Sequence, residues 1–394
     1  MSALRPTVVV MGILGRTPFA GVAWQVLHYL EGFRRRGCDV YYVEDTGDWP
    51  YDPVQNTVSD DPRYTVHYIA RLLDWCGLAG RWAYRAASQG GRVYGMEESR
   101  LTELWRRADV LLNVVGGTVL RDEHRRVPVR IFLETDPGLA QIEIAQGQQF
   151  TTDLLAAHTH LFSYGENLGA PDCLVPLRQF PYHPTRQPVV LDWWAPLADF
   201  LAHAGAAGRF TTVTSWQQAG KDAVWGGETY LWSKHVEFLK FLDLPRRTAQ
   251  PMGMALSCGD PDTRRLLAGH GWHLDDAFAL TTDILPYRAY LFSARGEWTV
   301  AKDQYVRLRT GWFSDRSACF LAAGKPVITQ DTAFGKFIPT GRGLFAFQTM
   351  DQVLDALDRI NTAYAVHARA AREIAAEYFA AERVVADMLT RAGL

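Results

Sequence analysis

The stretch Ser314-Asp315-Arg316-Ser317 places two hydroxyls, a carboxylate and a guanidinium just before the apolar run "ACFLAAG", which closes in Gly324-Lys325-Pro326 and a β-type run from Val327. A helix starting at Ser314 leaves its first backbone N–H groups unpaired and pointing outward, a natural seat for an anion. Ser314 alone reads as an N-cap. Arg316 does not, because a cation in the first turn opposes the helix dipole and needs an anion beside it. Asp315 could be that anion; a bound diphosphate, matched by the forked guanidinium, is the functional alternative.

Other candidates follow strand-like runs, where open parallel sheets hold their ligands. Asp136 ends the run "VRIFLETDPG" and could be a catalytic base at a cleft rim, or simply the first residue of an Asp-Pro-Gly turn. Glu166 and Asn167 follow "THLFSYG" and are expected to bind a second substrate. Ser215 and Lys221 follow "RFTTVTSW", and Trp216 offers a flat face for a sugar ring. In "GILGRTPFAG" the glycines Gly12 and Gly15 would let a ligand approach the backbone, or merely form a tight turn; the spacing is not GxGxxG, so no dinucleotide cofactor is expected. His28 has apolar neighbours and reads as a packed core histidine.

These residues need a frame. The chain of 394 residues exceeds one ordinary core, and 48% hydrophobic with 21% charged residues supports full cores rather than disorder. A net charge of −2 gives no global basic field, so no nucleic-acid partner is expected and any anion must be held locally. The five cysteines are scattered without a CxxC pair and read as reduced thiols. No run is long and apolar enough to span a membrane, and a cytoplasmic protein is expected.

The first half alternates strands (7–14, 38–45, 108–117, 129–138, 159–169) with helical patterns such as 21–37, as in a parallel sheet covered on both faces. Prolines at 171, 176, 181, 184, 188 and 196 interrupt this pattern. It then restarts, with strands expected at 209–216, 252–258, 278–283, 289–294, 326–330 and 343–347 and helices at 230–243 and 262–269. The fold class is therefore α/β, with two doubly wound Rossmann-like domains facing each other across a cleft. The expected boundaries are 1–185, a linker at 186–208, a second domain at 209–365, and a terminal helix at 366–394 that could cross back.

The run "SACFLAAGKPVITQD" resembles the nucleotide-diphosphate signature of GT-B glycosyltransferases, strongly in the final third and in outline elsewhere. The resemblance implies glycosyl transfer from a UDP- or dTDP-type sugar in the second domain to an acceptor in the first. Ser314, Arg316 and Ser317 would hold the diphosphate, with Lys234 as the phosphate-facing lysine. Glu297, in a loop after the expected strand 289–294, would meet the base, and Asp331 or Gln330 the sugar hydroxyls. Cys319 stands where such enzymes keep a ribose-binding acid, and Gly311 where the plant-type pattern has histidine. On this resemblance Arg316, Ser314, Ser317 and the helix N-terminus would neutralise the leaving diphosphate, so no metal or other cofactor is expected. The alternatives are a GT-B-type isomerase or phosphorylase, or a two-lobed binding protein without chemistry.

Overall fold

The strand Thr7–Met11 is apolar from Val8 onward because both of its faces are covered: Val8 and Val10 pack under the helix Ala20–Arg35, while Val9 and Met11 join the cluster that holds Leu101, Leu104 and Trp105 of the opposite helix Glu98–Arg107. It lies within an eight-stranded sheet of order His183–Pro184, His160–Ser163, Val129–Glu134, Val110–Val114, Thr7–Met11, Asp39–Glu44, Trp82–Ala86, Arg92–Gly95. Every pairing is parallel except the last. Thr7–Met11 thus has Asp39–Glu44 on one side and Val110–Val114 on the other. Strand order reverses there, which opens a crevice at the carboxyl ends of these strands.

The computed structural model describes residues 5–195, 208–218 and 220–394; residues 196–207 of the expected linker lie outside them. In the second half, Phe210–Thr211 pairs with Gly296–Thr299, and Val213–Ser215 pairs with Gly253–Ser257. Through that shared segment the order His273–Asp276, Gly253–Ser257, Phe210–Ser215, Gly296–Thr299, Val327–Gln330, Leu344–Phe347 runs without interruption, and all pairings are parallel. Thr212, at the junction, is fully buried and donates to Thr299 Oγ1 at 3.1 Å.

Two expected strands are helices. Residues 278–283 lie mostly in the helix Ala277–Thr281, and 289–294 in Ile284–Ser293, because Asp276 and Asp283 cap them through bonds from the amides of Phe278 and Leu285. The strands that replace them, His273–Asp276 and Gly296–Thr299, are polar by sequence. The long helix expected at 230–243 is instead the end of a hairpin, Ala223–Trp225 with Glu228–Tyr230, followed by the short helix His235–Leu239.

The tail is not one helix. Tyr364–Ile374 loosens into a π turn at Ala375–Phe379, and Ala380 becomes extended before the helix Ala381–Arg391. At the break Val189 N donates to Phe379 O and Ala381 N donates to Val189 O, at 2.7 and 2.9 Å. The last helix lies against Ala20–Arg35 so closely that a Cβ at Gly32 would stand 3.1 Å from Val385. Arg35 ties the corner to both Asp192 and Glu382. No helix among the described residues is long and apolar enough to cross a membrane.

Candidate functional site between the two sheets

The carboxyl ends of both sheets open onto one cavity of about 690 Å³, lined from the first half by the loops after Thr7–Met11, Val110–Val114 and Val129–Glu134, and from the second by Val213–Ser215, Ser257 and the start of the helix Asp315–Ala322.

Ser314 precedes that helix with extended dihedrals, makes no side-chain cap bond and faces the cavity. Among the described residues the amides of Arg316 and Ser317 find no acceptor. Ser317 itself is fully buried, its hydroxyl unpartnered. Arg316 lines the cavity but is anchored from behind: Nε donates to Glu297 Oε1 at 2.5 Å, Nη1 to Val213 O at 2.7 Å and Nη2 to Thr299 Oγ1 at 3.0 Å. The anion beside Arg316 is therefore Glu297, not Asp315. Glu297 is a fully buried strand residue, which corrects its placement in a base-contacting loop.

Lys234 stands beside this pair, its Nζ 6.0 Å from the ring centre of Trp312, a cavity residue. No carboxylate among the described residues pairs with it. Burial, then Arg316 and Lys302, hold its pKa well below the ordinary lysine value. Lys302 donates to Asp136 Oδ1 at 2.8 Å and lies 3.1 Å over the ring of Trp232, which also carries Lys221 at 4.8 Å. Lys221 and Arg316 thus line the cavity, and Lys234 and Lys302 stand just outside its lining, near the carboxylates Asp136 and Glu297.

Asp136 lines the cavity, half-buried; its Oδ1 accepts from Lys302 and from the Tyr305 hydroxyl. Burial pushes its pKa up, but Lys302 and Tyr305 outweigh that, and the net value is below the usual carboxylate range. Asp315 behaves oppositely. Facing the cavity, with one hydrogen bond from Gln25 at 3.1 Å, it is raised to about 7 by burial. It lies one helical turn before Cys319, on the same face, so a carboxyl group is present near the position where Cys319 replaces the expected acid. His28 is buried, with Val190 N 3.1 Å from Nδ1 and Trp194 Nε1 3.0 Å from Nε2, of which the neutral ring accepts one, and has its pKa lowered to about 3 by burial and by Arg35.

The titration of Asp315 has a measurable consequence. The unfolded chain releases this proton near pH 4 and the folded chain near 7, so the folded state holds more protons between these values and stability falls as pH rises through the window. Glu44 and Glu134, also raised to about 7 by burial, add to the slope. Asp315→Asn should melt higher than wild type at pH 8, by an amount on the order of 2 kcal/mol once solvent in the cavity is allowed for, and equally with it at pH 4. Melting curves at the two pH values, differing by the same amount at both, would remove this account of Asp315.

Several expected contacts are made elsewhere. Trp216 is core, 5% exposed and stacked on Phe238, so it offers no face to a sugar. Asp331 accepts from Ala333 N and Gln348 Nε2 in its own turn, and Gln330 is buried against Glu237; neither lines the cavity. Glu166 is bound through both oxygens by Arg186 at 2.7 Å, and Asn167 donates to Arg309 O at 2.7 Å and accepts from Lys336. Asn167 joins the halves, Glu166 is held from within the first, and neither lines the cavity. A side chain at Gly311 would meet Asn167 N at 2.4 Å, so only glycine permits that approach. Gly12 and Gly15 also fall short of the cavity: a Cβ at Gly15 would lie 2.3 Å from Thr65, and the amides of Gly15 and Arg16 are satisfied by Glu44 at 2.8 and 2.9 Å. The loop reaches the cavity instead through Ile13, Arg16, Thr17 and Phe19. Ser215 does line it.

Val115, absent from the sequence expectations, also lines the cavity. Its φ of 57° puts a β-branched residue in the left-handed region, at a cost of about 1–3 kcal/mol. Asp45, Glu123 and His124 are the described residues whose ligand atoms gather as a metal site would require, but Arg121 and Arg85 already pair with Asp45, and His124 Nδ1 accepts from the Arg121 amide.

No family model matches the chain, nor does any curated protein. Solved structures match it from end to end. Sucrose-phosphate synthase from Thermosynechococcus elongatus covers 98% of this chain and 98% of its own, at TM-score 0.56 and 10% identity. An alpha-glucosyltransferase in complex with UDP covers 99% and 100%, at TM-score 0.58 and 8% identity. The chain has the GT-B fold. A third GT-B neighbour, Anabaena HepE in complex with UDP and glucose, covers 98% of this chain and 100% of its own, at TM-score 0.55 and 9% identity. Other alpha-glucosyltransferase structures hold DNA, which does not fit an expectation of no nucleic-acid partner.

Proposed function

We propose that this protein is a glycosyltransferase that moves a sugar from a UDP- or dTDP-type donor, seated on the second half, to an acceptor held on the first half. The observation that carries this reading is Arg316, the Ser314 hydroxyl and the open helix amides on the cavity wall, with Lys234 nearby and in no ion pair among the described residues: together they give a cationic, hydrogen-bonding end to a cavity that both halves share. UDP in the neighbouring GT-B structures agrees with a nucleoside diphosphate there.

The chemistry follows from this placement. The bond from the sugar's anomeric carbon to the β-phosphate oxygen breaks with its electron pair on the diphosphate, whose growing charge Lys234, Arg316 and the helix amides stabilise. The acceptor oxygen bonds to the same carbon and loses its proton. Asp136 is the proposed acceptor of that proton, because Lys302 and Tyr305 occupy Oδ1 and keep the group ionised at neutral pH, the form a base requires. Its low pKa makes it a weak base, so transfer must run in concert with departure of the diphosphate. Arg316 and Lys234 supply positive charge and Ser314 a hydroxyl donor for the leaving group, and no metal is required by this reading.

Incubation with a panel of nucleoside diphosphate sugars and alcohols should release nucleoside diphosphate at the same rate with and without a chelator. Tight nucleotide binding without turnover would favour a two-lobed binding protein, and loss of activity in the chelator would overturn the metal-independent seat.

A further inference from the structure

The opposite end of the cavity has a different chemistry. Ile13, Phe19, Val22 and Val115 from the first half, and Phe278 from the second, face it with partly exposed apolar surface. The rings of Phe19 and Phe278 meet edge to face at 5.8 Å across the two halves. The polar side chains on this wall are few: Arg16, which pairs with Asp48 at 3.0 Å, Thr17 and Thr281. Gln25, the amide lining the same half, is committed to Asp315. A chain of sugars would bring many hydroxyls against surface that cannot bond them, and each burial of an unbonded hydroxyl is unfavourable.

Val115 shows that the apolar wall is held on purpose. The loop Val114–Gly117 is fixed by Val115 N to Leu133 O at 2.9 Å and by Asn113, whose amide bonds Thr118 O at 2.8 Å and accepts from Thr118 N. Its left-handed backbone suits glycine, and Gly116 and Gly117 follow, yet position 115 carries a strained isopropyl group turned to the cavity. Part of this side chain packs against the core of the first half, and the surface it leaves exposed faces what enters the cavity.

We propose that the acceptor is a small alcohol or phenol carried on an apolar ring skeleton, packed between the Phe19–Phe278 edge and the Val115–Ile13 wall with its hydroxyl toward Asp136. This rests on the glycosyltransferase reading and names the acceptor class for it. Apolar walls with few polar groups are the usual form of small-molecule sites.

The test uses the full chain and three probes, each with and without UDP: 4-methylumbelliferone, maltose and a 13-mer duplex DNA. The phenol should bind, followed by its fluorescence. Val115→Asn, which tolerates the same backbone, and Phe278→Ala should each weaken it at least tenfold with UDP affinity unchanged. Val115→Gly, relieved of strain, should weaken the phenol similarly without lowering the melting temperature, so a folding defect cannot imitate the result. Binding of maltose or DNA in place of the phenol, or full phenol affinity in all three variants, overturns the acceptor assignment. Absence of UDP binding while the phenol still binds overturns the donor reading and leaves the apolar wall standing.

Discussion

Arg316→Ala should lose about 3–5 kcal/mol of folding stability, far more than loss of a ligand contact would cost, because it strands Glu297 without a partner at zero exposure. The arginine also holds Val213 O and Thr299 Oγ1, so its removal loosens both strands that border the diphosphate end of the cavity. Among the described residues Glu297 Oε2 has no hydrogen-bond partner even in the intact pair, and Arg316 is the ion-pair partner of this carboxylate. The double variant Arg316→Met with Glu297→Gln should recover most of the stability, since it removes both charges instead of one. It should not recover nucleoside diphosphate affinity, for Arg316 still presents the remaining guanidinium hydrogens to the cavity and methionine has none. Chemical denaturation gives the first quantity and calorimetric titration with UDP or dTDP the second. Full UDP affinity in the folded double variant would remove Arg316 from the seat and leave it a structural residue.

Lys234→Met should have the opposite pattern, gaining stability and losing ligand. A half-buried ammonium near Arg316 and Lys302, with no carboxylate paired to it among the described residues, is unfavourable in the empty protein, and a methionine of similar length relieves it, by about 1 kcal/mol. The same change removes the cation that is free to meet a phosphate, which should weaken UDP by about 2 kcal/mol, roughly thirtyfold. A lysine kept where it destabilises the empty fold is what an anion site requires. If Lys234→Met lowers the melting temperature and leaves UDP binding intact, Lys234 belongs to the packing and the cationic seat is incomplete.

The central strands were legible because a strand covered on both faces has to be mostly apolar, as Thr7–Met11 and Val110–Val114 are, and Val327–Gln330 opens with Val327 and Ile328. Gly296–Thr299 was not, since Glu297 makes it read as a loop and the arginine that neutralises it lies 19 residues further on. Short apolar runs at 278–283 and 289–294 fit either period, and the aspartates before the helices decided the outcome. In the site, the position after a strand told which end of the sheet a residue occupies but not where its side chain points. Ser215 and Asp136 reach the cavity; Glu166 and Asn167, equally well placed in sequence, are taken by Arg186, Arg309 and Lys336 from distant segments. The polar end of the cavity at Ser314 to Arg316 could be found because hydroxyls and a cation before an apolar helix are a local pattern. The apolar wall could not, since Phe19, Val115 and Phe278 come together only through the fold.

The backbone pairing of Val189 with Phe379 and Ala381 joins the outgoing and returning passages of the chain between the halves. Two passages laced side by side behave as a door hinge and not as a tether. They permit swing about one line and resist twist or slide, so every opening of the cleft must part the Phe19–Phe278 edge and the Lys302–Asp136 pair in a single stroke. Access to the cavity from one half is thereby tied to the contacts made by the other.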